Sequence, residues 1–179
     1  TGSKGDDTST WGDLWLIKTS LDGSIEWETT FEGEYLQLLD QWYEGIQVGR
    51  DVQQTQDGGY IIIGDNRSIY GDDYIWVIKT DFNGVEEWSL SPFSDVLGDP
   101  NEDFNMISDY GAAIQQTENG DYIITGHINS YINDNTDSNI VLIKISENGE
   151  EDWYRVFDYT EDICSENEPD LCGIGEAGY

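Results

Sequence analysis

The sequence predicts an all-β fold made of repeated four-stranded antiparallel units, and three observations carry that prediction. First, one segment occurs three times: Asp13-Leu-Trp-Leu-Ile-Lys-Thr-Ser-Leu-Asp-Gly-Ser-Ile-Glu-Trp27, then the stretch from Asp73 to Trp88, then the stretch from Asn139 to Trp153. Second, Gln53-Gln-Thr-Gln-Asp-Gly-Gly-Tyr-Ile-Ile-Ile-Gly64 returns as Gln115-Gln-Thr-Glu-Asn-Gly-Asp-Tyr-Ile-Ile-Thr-Gly126. Third, Trp27, Trp88 and Trp153 set a period of 61 and then 65 residues. A fixed period of this length marks a repeat architecture. Units of four short strands at this spacing read as β-propeller-type blades, nearly three of them in 179 residues.

Each strand follows from its pattern. The first of a unit covers 49–55 and 111–117, short and partly polar. The second covers 59–64 and 121–126, rich in Tyr and Ile, which favour a pleated surface. The third, at 13–19, 73–80 and 138–145, is a nearly continuous apolar run and predicts burial on both faces. The fourth, at 24–31, 85–91 and 150–157, carries one Trp each time. Asp57-Gly58-Gly59 and Asn119-Gly120 link strands one and two. Asp22-Gly23, Asn83-Gly84 and Asn148-Gly149 link strands three and four. These pairs predict primed two-residue hairpin turns, where φ is positive. The chain divides accordingly into 1–48 (a partial blade and a long crossing), 49–110, 111–174 and the start of a further blade at 175–179.

This connectivity puts all the short turns at one end of the units and the other connections at the opposite end. Those connections are long: 32–48, 65–72, 92–110, 127–137 and 158–174, with 1–12 before them. Long loops gathered on a rigid scaffold are where binding resides. They are also rich in acid. Asp and Asn oxygens suit hard cations, so Asp6, Asp7, Asp13, Asp134 and Asp137 are the candidate ligands for calcium, with a solvated acidic face as the alternative. The crossing 34–44 has Tyr35, Leu38, Leu39 and Trp42 at helical spacing. It predicts a short capping helix; the sharper reading makes Tyr35, Trp42 and Tyr43 an aromatic platform for sugar rings. Lys18, Lys79 and Lys144 share one repeat position and pair most simply with blade carboxylates.

Composition limits the partners. Seven Lys and Arg against 38 Asp and Glu give a net charge of −31, which repels nucleic acid and anionic membrane surfaces. No apolar run is long enough to span a bilayer. With 13% aromatic residues the chain is too rich in core formers to be a disordered acidic tail. Cys164 and Cys172, seven residues apart by intervening count, read as a local disulfide in a secreted protein, with free thiols as the alternative. His127 is the single histidine and reads as a strand-end residue.

The pattern Q-T-x-D-G-G-Y-I-I-x-G followed by D-x-W-L-I-K-x-D-x-x-G-x-x-x-W resembles repeats of secreted and surface-anchored propeller-like proteins of bacteria and archaea. It is carried here by 53–64 with 73–88, by 115–126 with 139–153, and by 13–27 alone. The resemblance implies a propeller outside the cytoplasm but no particular activity. Ser20–Trp27 and Ser146–Trp153 also look like the Asp-box turn of sialidases, a structural turn in that family. A sialidase needs an arginine cluster, whereas Arg50, Arg67 and Arg155 are far apart in sequence and surrounded by acid.

The expectation is therefore a non-catalytic extracellular or cell-surface module that binds carbohydrate or protein through one acidic face, or that self-assembles. The alternative is a glycan-active hydrolase or lyase using loop carboxylates. There is no nucleophile elbow and no phosphate-cradling glycine loop to support an enzyme. Because the repeat starts late in one blade and stops early in another, the missing strands are expected from other blades of a larger chain or from neighbouring identical subunits.

Overall fold

The computed structural model describes residues 1–5, 12–33, 35–38, 41–44, 46–67, 73–92, 109–132 and 135–157, and for 35–38, 41–44, 130–132 and 135–137 the backbone alone. The described residues are all β. Sheet I orders β1 (Gly2–Gly5), β2 (Gly12–Thr19) and β3 (Ile25–Phe31); a hairpin pairs β4 (Tyr35–Leu38) with β5 (Gln41–Glu44). Sheet II orders β6 (Ile46–Gln54), β7 (Tyr60–Arg67), β8 (Asp73–Thr80) and β9 (Glu86–Leu90). Sheet III orders β10 (Tyr110–Gln116), β11 (Tyr122–Ile132), β12 (Asn135–Ile145) and β13 (Glu151–Phe157). Every pairing is antiparallel between chain neighbours, so the repeat unit is the predicted four-stranded meander. The three sheets do not close on one another as a barrel or a propeller.

Three local expectations are corrected. Residues 34–44 form no helix where described: Tyr35 pairs with Glu44 and Gln37 with Trp42 across a hairpin. Aromatic and leucine-rich residues fit a pleated strand as readily as a helix face, and the spacing of four apolar residues did not separate the two. The supposed loop 127–137 is mostly strand, because β11 and β12 stay paired as far as Ile132 with Asn135. Its Asn, Ser and Asp residues disguised a ladder that backbone hydrogen bonds hold. The short turns are three-residue loops rather than two-residue ones. In the second of sheet II, Gly84 N donates to Asp81 O (3.1 Å) and Asp81 N to Val85 O (2.8 Å), with Gly84 at φ 82°. This is a type I turn followed by a left-handed glycine.

Each strand-three lysine has a bulge beside it. Lys79 pairs with Trp88 and Thr80 with Glu86, which leaves Glu87 as the extra residue. The same shift leaves Glu26 in sheet I and Asp152 in sheet III. A bulge leaves its extra residue unpaired and re-aims side chains locally. Accordingly Lys18 pairs with Glu26 at 3.4 Å, Lys79 with Glu87 at 2.8 Å and Lys144 with Asp152 at 2.5 Å. The recurring acid before Trp is thus a counter-ion of the recurring lysine.

The core lies between sheets. Leu14, Leu16 and Phe31 of sheet I pack on Ile62, Trp76 and Ile78 of sheet II. Ile61, Ile63, Ile75 and Val77, on the other face of sheet II, pack on Ile114, Tyr122, Ile124, Val141, Ile143 and Ile145 of sheet III. Sheet II is buried on both faces, which explains the unbroken apolar run of its third strand.

Candidate functional site

The polar cluster of the described residues sits at the long-connection end of the contact between sheets II and III. Strand β7 ends there, β8 begins there, and β10 enters beside them. Arg50 Nε donates to Asp65 Oδ2 at 2.5 Å, and Gly111 N of sheet III donates to Asp65 Oδ1 at 3.1 Å. Arg67 grips Asp73 with two bonds, Nε to Oδ1 at 2.6 Å and Nη2 to Oδ2 at 3.0 Å, and the Tyr110 hydroxyl adds a third to Oδ2 at 2.9 Å. Such forked guanidinium–carboxylate pairs fix geometry as well as charge. Both aspartates are buried while both arginines are half exposed. Burial is the largest influence on Asp65 and pushes its carboxyl up, against the hydrogen bond and charge of Arg50. The Asp73 carboxylate holds the Arg67 guanidinium above its usual value.

Asp109 is the anomaly of this cluster. Its backbone N–H donates to Asp73 O at 2.7 Å, yet neither carboxylate oxygen has a hydrogen-bond partner at 1% exposure. Burial raises its carboxyl to about 7 and outweighs the opposing influence of the Asn129 backbone N–H. The repeat explains how this arose. The equivalent residue in sheet II is Gln47, also buried, whose Nε2 donates to Asn66 Oδ1 at 3.0 Å. In sheet III that Gln–Asn pair is replaced by Asp109 and Ile128, so an acid stands where an amide had a partner.

An open depression of about 550 Å³ adjoins the cluster, lined among others by Arg50, Tyr110, His127, Asn129 and Ser138. His127 and Ser138 occupy the repeat positions of Asp65 and Asp73. The two arginine-held aspartates of sheet II are therefore replaced, one unit on, by His127 and Ser138, which line the depression.

Of the residues singled out from the sequence, Asp13 lies half-buried on β2 opposite Lys4. Asp6, Asp7, Asp134, Cys164 and Cys172 lie outside the described residues, and Asp137 is described only as backbone in β12. Among the described residues no group of three His, Cys, Asp or Glu is placed to hold a metal ion. Tyr35, Trp42 and Tyr43 fall on the β4–β5 hairpin. Arg50 and Arg67, expected to be scattered, come to one end of sheet II, but each is engaged by a buried aspartate. Asp65, Asp73, Asp109 and Tyr110 were not anticipated. The available signal was an acid at the end of each of two buried strands of sheet II, which requires a cation nearby.

No protein-family model matches this chain, and no curated protein matches it. Among the described residues no helix is long and apolar enough to cross a membrane.

Proposed function

We propose that the chain is a non-catalytic, propeller-type binding module that works outside the cytoplasm or at the cell surface. It engages carbohydrate or a surface protein through its long-connection end. The observation that carries this reading is the contrast between the two ends of the sheets. The turn end is closed by five loops of one kind, each with a left-handed glycine and its backbone groups paired within the turn. The other end gathers the Arg50–Asp65 and Arg67–Asp73 pairs, Tyr110, Asp109 and the depression beside them. A rigid scaffold with variable chemistry at one end is the arrangement of binding proteins.

The chemistry at that end favours binding over turnover. A glycosidase needs two accessible carboxyl groups facing a substrate. Asp65 and Asp73 are buried and held by arginines, and Asp109 is enclosed. The resemblance of the repeat to surface propeller-like proteins supports the location. The purified chain is to be tested against a glycan panel for both retention and hydrolysis. Retention without product formation is the expected result. Sustained hydrolysis abolished by Asp65→Asn or Asp73→Asn overturns the binding reading in favour of a glycan-active enzyme.

A further inference from the structure

Sheets I and II meet through the same repeat positions as sheets II and III. Trp27 of sheet I lies edge-on to Tyr60 of sheet II and backs its turn glycine, where a Cβ on Gly84 would stand 2.7 Å from the indole. Trp88 of sheet II stands the same way to Tyr122 of sheet III and to Gly149, at 2.8 Å. The series then stops with an open face. Ile61, Ile63, Ile75 and Val77 are fully buried, whereas none of their counterparts Ile123, Thr125, Ile140 and Leu142 is, and Ile140 is 53% exposed. Beside it Phe157 is 54% exposed. Gln53 accepts from the backbone N–H of Gln116 across the sheet II–III contact at 2.7 Å, and its counterpart Gln115 is exposed.

Sheet I ends the series with the complementary deficit. Its turn glycine, Gly23, has nothing within 4 Å of a Cβ position, in contrast to Gly84 and Gly149. Trp15 and Ile17 are only half-buried, whereas their counterparts Trp76 and Ile78 are core residues. Charge agrees with shape. Leu90 and Tyr154 pack on one cluster at the sheet II–III contact. Their counterparts on the two open faces are Arg155 and Glu28, of opposite sign, with Glu28 also accepting from Lys4 Nζ at 3.2 Å and Trp15 Nε1 at 3.0 Å within sheet I.

We infer that the open face of sheet III seats the open face of sheet I from a second copy of this chain, with Trp153 backing Gly23 and Arg155 opposite Glu28 of that copy. This continues an interface the chain already makes twice. Two copies related by a two-fold axis satisfy both open faces of each, and supply six repeat units. That number falls among the four to eight of closed propellers. The inference concerns the flanks of the sheets and goes beyond binding at the long-connection end, so either reading can fail alone.

Light scattering on the 179-residue chain across about 1–100 µM tests it, against the 20.3 kDa of one chain. The expected species is a dimer. Arg155→Glu and Glu28→Arg change exposed side chains, and each is expected to weaken the dimer at least ~10-fold by placing like charges together. Mixing the two variants is expected to restore it, because each Glu at 155 then meets an Arg at 28. Ile140→Lys, with an unchanged circular dichroism spectrum, is expected to give a monomer. A monomeric parent chain overturns the inference and leaves the face to another repeat unit of the same polypeptide. Open-ended oligomers overturn the closed two-fold ring, and charge variants that fail to rescue each other overturn the pairing of sheet III with sheet I.

Discussion

Trp88 meets Tyr122 across the sheet II–III contact with ring centroids 5.9 Å apart and planes at 64°, repeating the Trp27–Tyr60 relationship of 5.5 Å and 74° one unit earlier. Edge-to-face pairs of this kind add to the burial of the rings themselves. The Trp is therefore a joint between sheets rather than a residue of its own sheet's core. Trp88→Ala is expected to cost about 2–4 kcal/mol in urea denaturation, less than a fully buried Trp because Trp88 is only half-buried. Gly149→Ala has two penalties, a positive φ of 84° and a Cβ against the Trp88 ring. Gly58→Ala has the backbone penalty alone, with φ at 88° and open space around it. Gly149→Ala should thus exceed the ~1 kcal/mol expected of Gly58→Ala, and equal costs would show that the indole contact carries nothing.

Much of this fold was legible because the repeat exposed it. Three copies of one strand pattern located every strand of sheet II and the lysine–acid pairs, since alternation and turn glycines are local signals. What stayed hidden depends on which unit a residue faces. Asp65 and Asp73 look like any acids of a −31 chain until Arg50, Arg67 and Gly111 are brought around them. The extension of β11 and β12 was missed for a different reason: polar residues in a strand lose the period-two signal when neither face is apolar. The β4–β5 hairpin was missed because its Tyr, Leu and Trp spacing fits a helix as well as a strand.

Lys79 offers the sharpest contrast among the repeated lysines. Its side chain is 3% exposed and its Nζ reaches Asp57 and Glu87 at 2.8 Å each and Thr80 O at 2.9 Å. Burial pulls the ammonium down, but the two carboxylates more than offset it and hold it above its usual value. Lys79→Ala loses both ion pairs and a buried ammonium, and because Asp57 and Glu87 stay about half exposed a loss of about 1–3 kcal/mol is expected. Lys18 is more exposed and pairs with Glu26 at 3.4 Å, so Lys18→Ala should cost clearly less than Lys79→Ala. Asp57 is lowered to about 2, first by the Lys79 hydrogen bond and then by Thr55. A depressed carboxyl stabilises the fold above its unfolded value near 3.8, and this contribution is lost as pH falls toward 2. The acid limb of a stability–pH curve should therefore flatten in Asp57→Asn.

Asp65 bridges two sheets, accepting from Arg50 on its own sheet and from Gly111 N on the next. Asp65→Asn keeps an oxygen for Gly111 but loses the charge that faces Arg50. Asp65→Ala loses both and leaves a buried N–H without an acceptor. The expected order of stability is wild type, then Asp65→Asn, then Asp65→Ala, with the last costing on the order of 2–4 kcal/mol. An alanine variant as stable as the asparagine variant would show that the Gly111 bond contributes nothing to the junction.

Asp109 reverses the pH argument. Its folded carboxyl is raised to about 7 from 3.8 because it is buried with no bonded partner. The folded state then binds the proton more tightly than the unfolded one, so stability falls as pH rises from about 4 through 7. Asp109→Asn removes the charge while keeping the shape, and returns an amide to the position that Gln47 holds in sheet II. The variant is expected to melt at about the wild-type temperature at pH 4.5 and several degrees above it at pH 8. Thermal unfolding at the two pH values measures this directly. A melting difference that does not change with pH would mean that Asp109 is ionised in the folded protein and satisfied by a group other than those around it here.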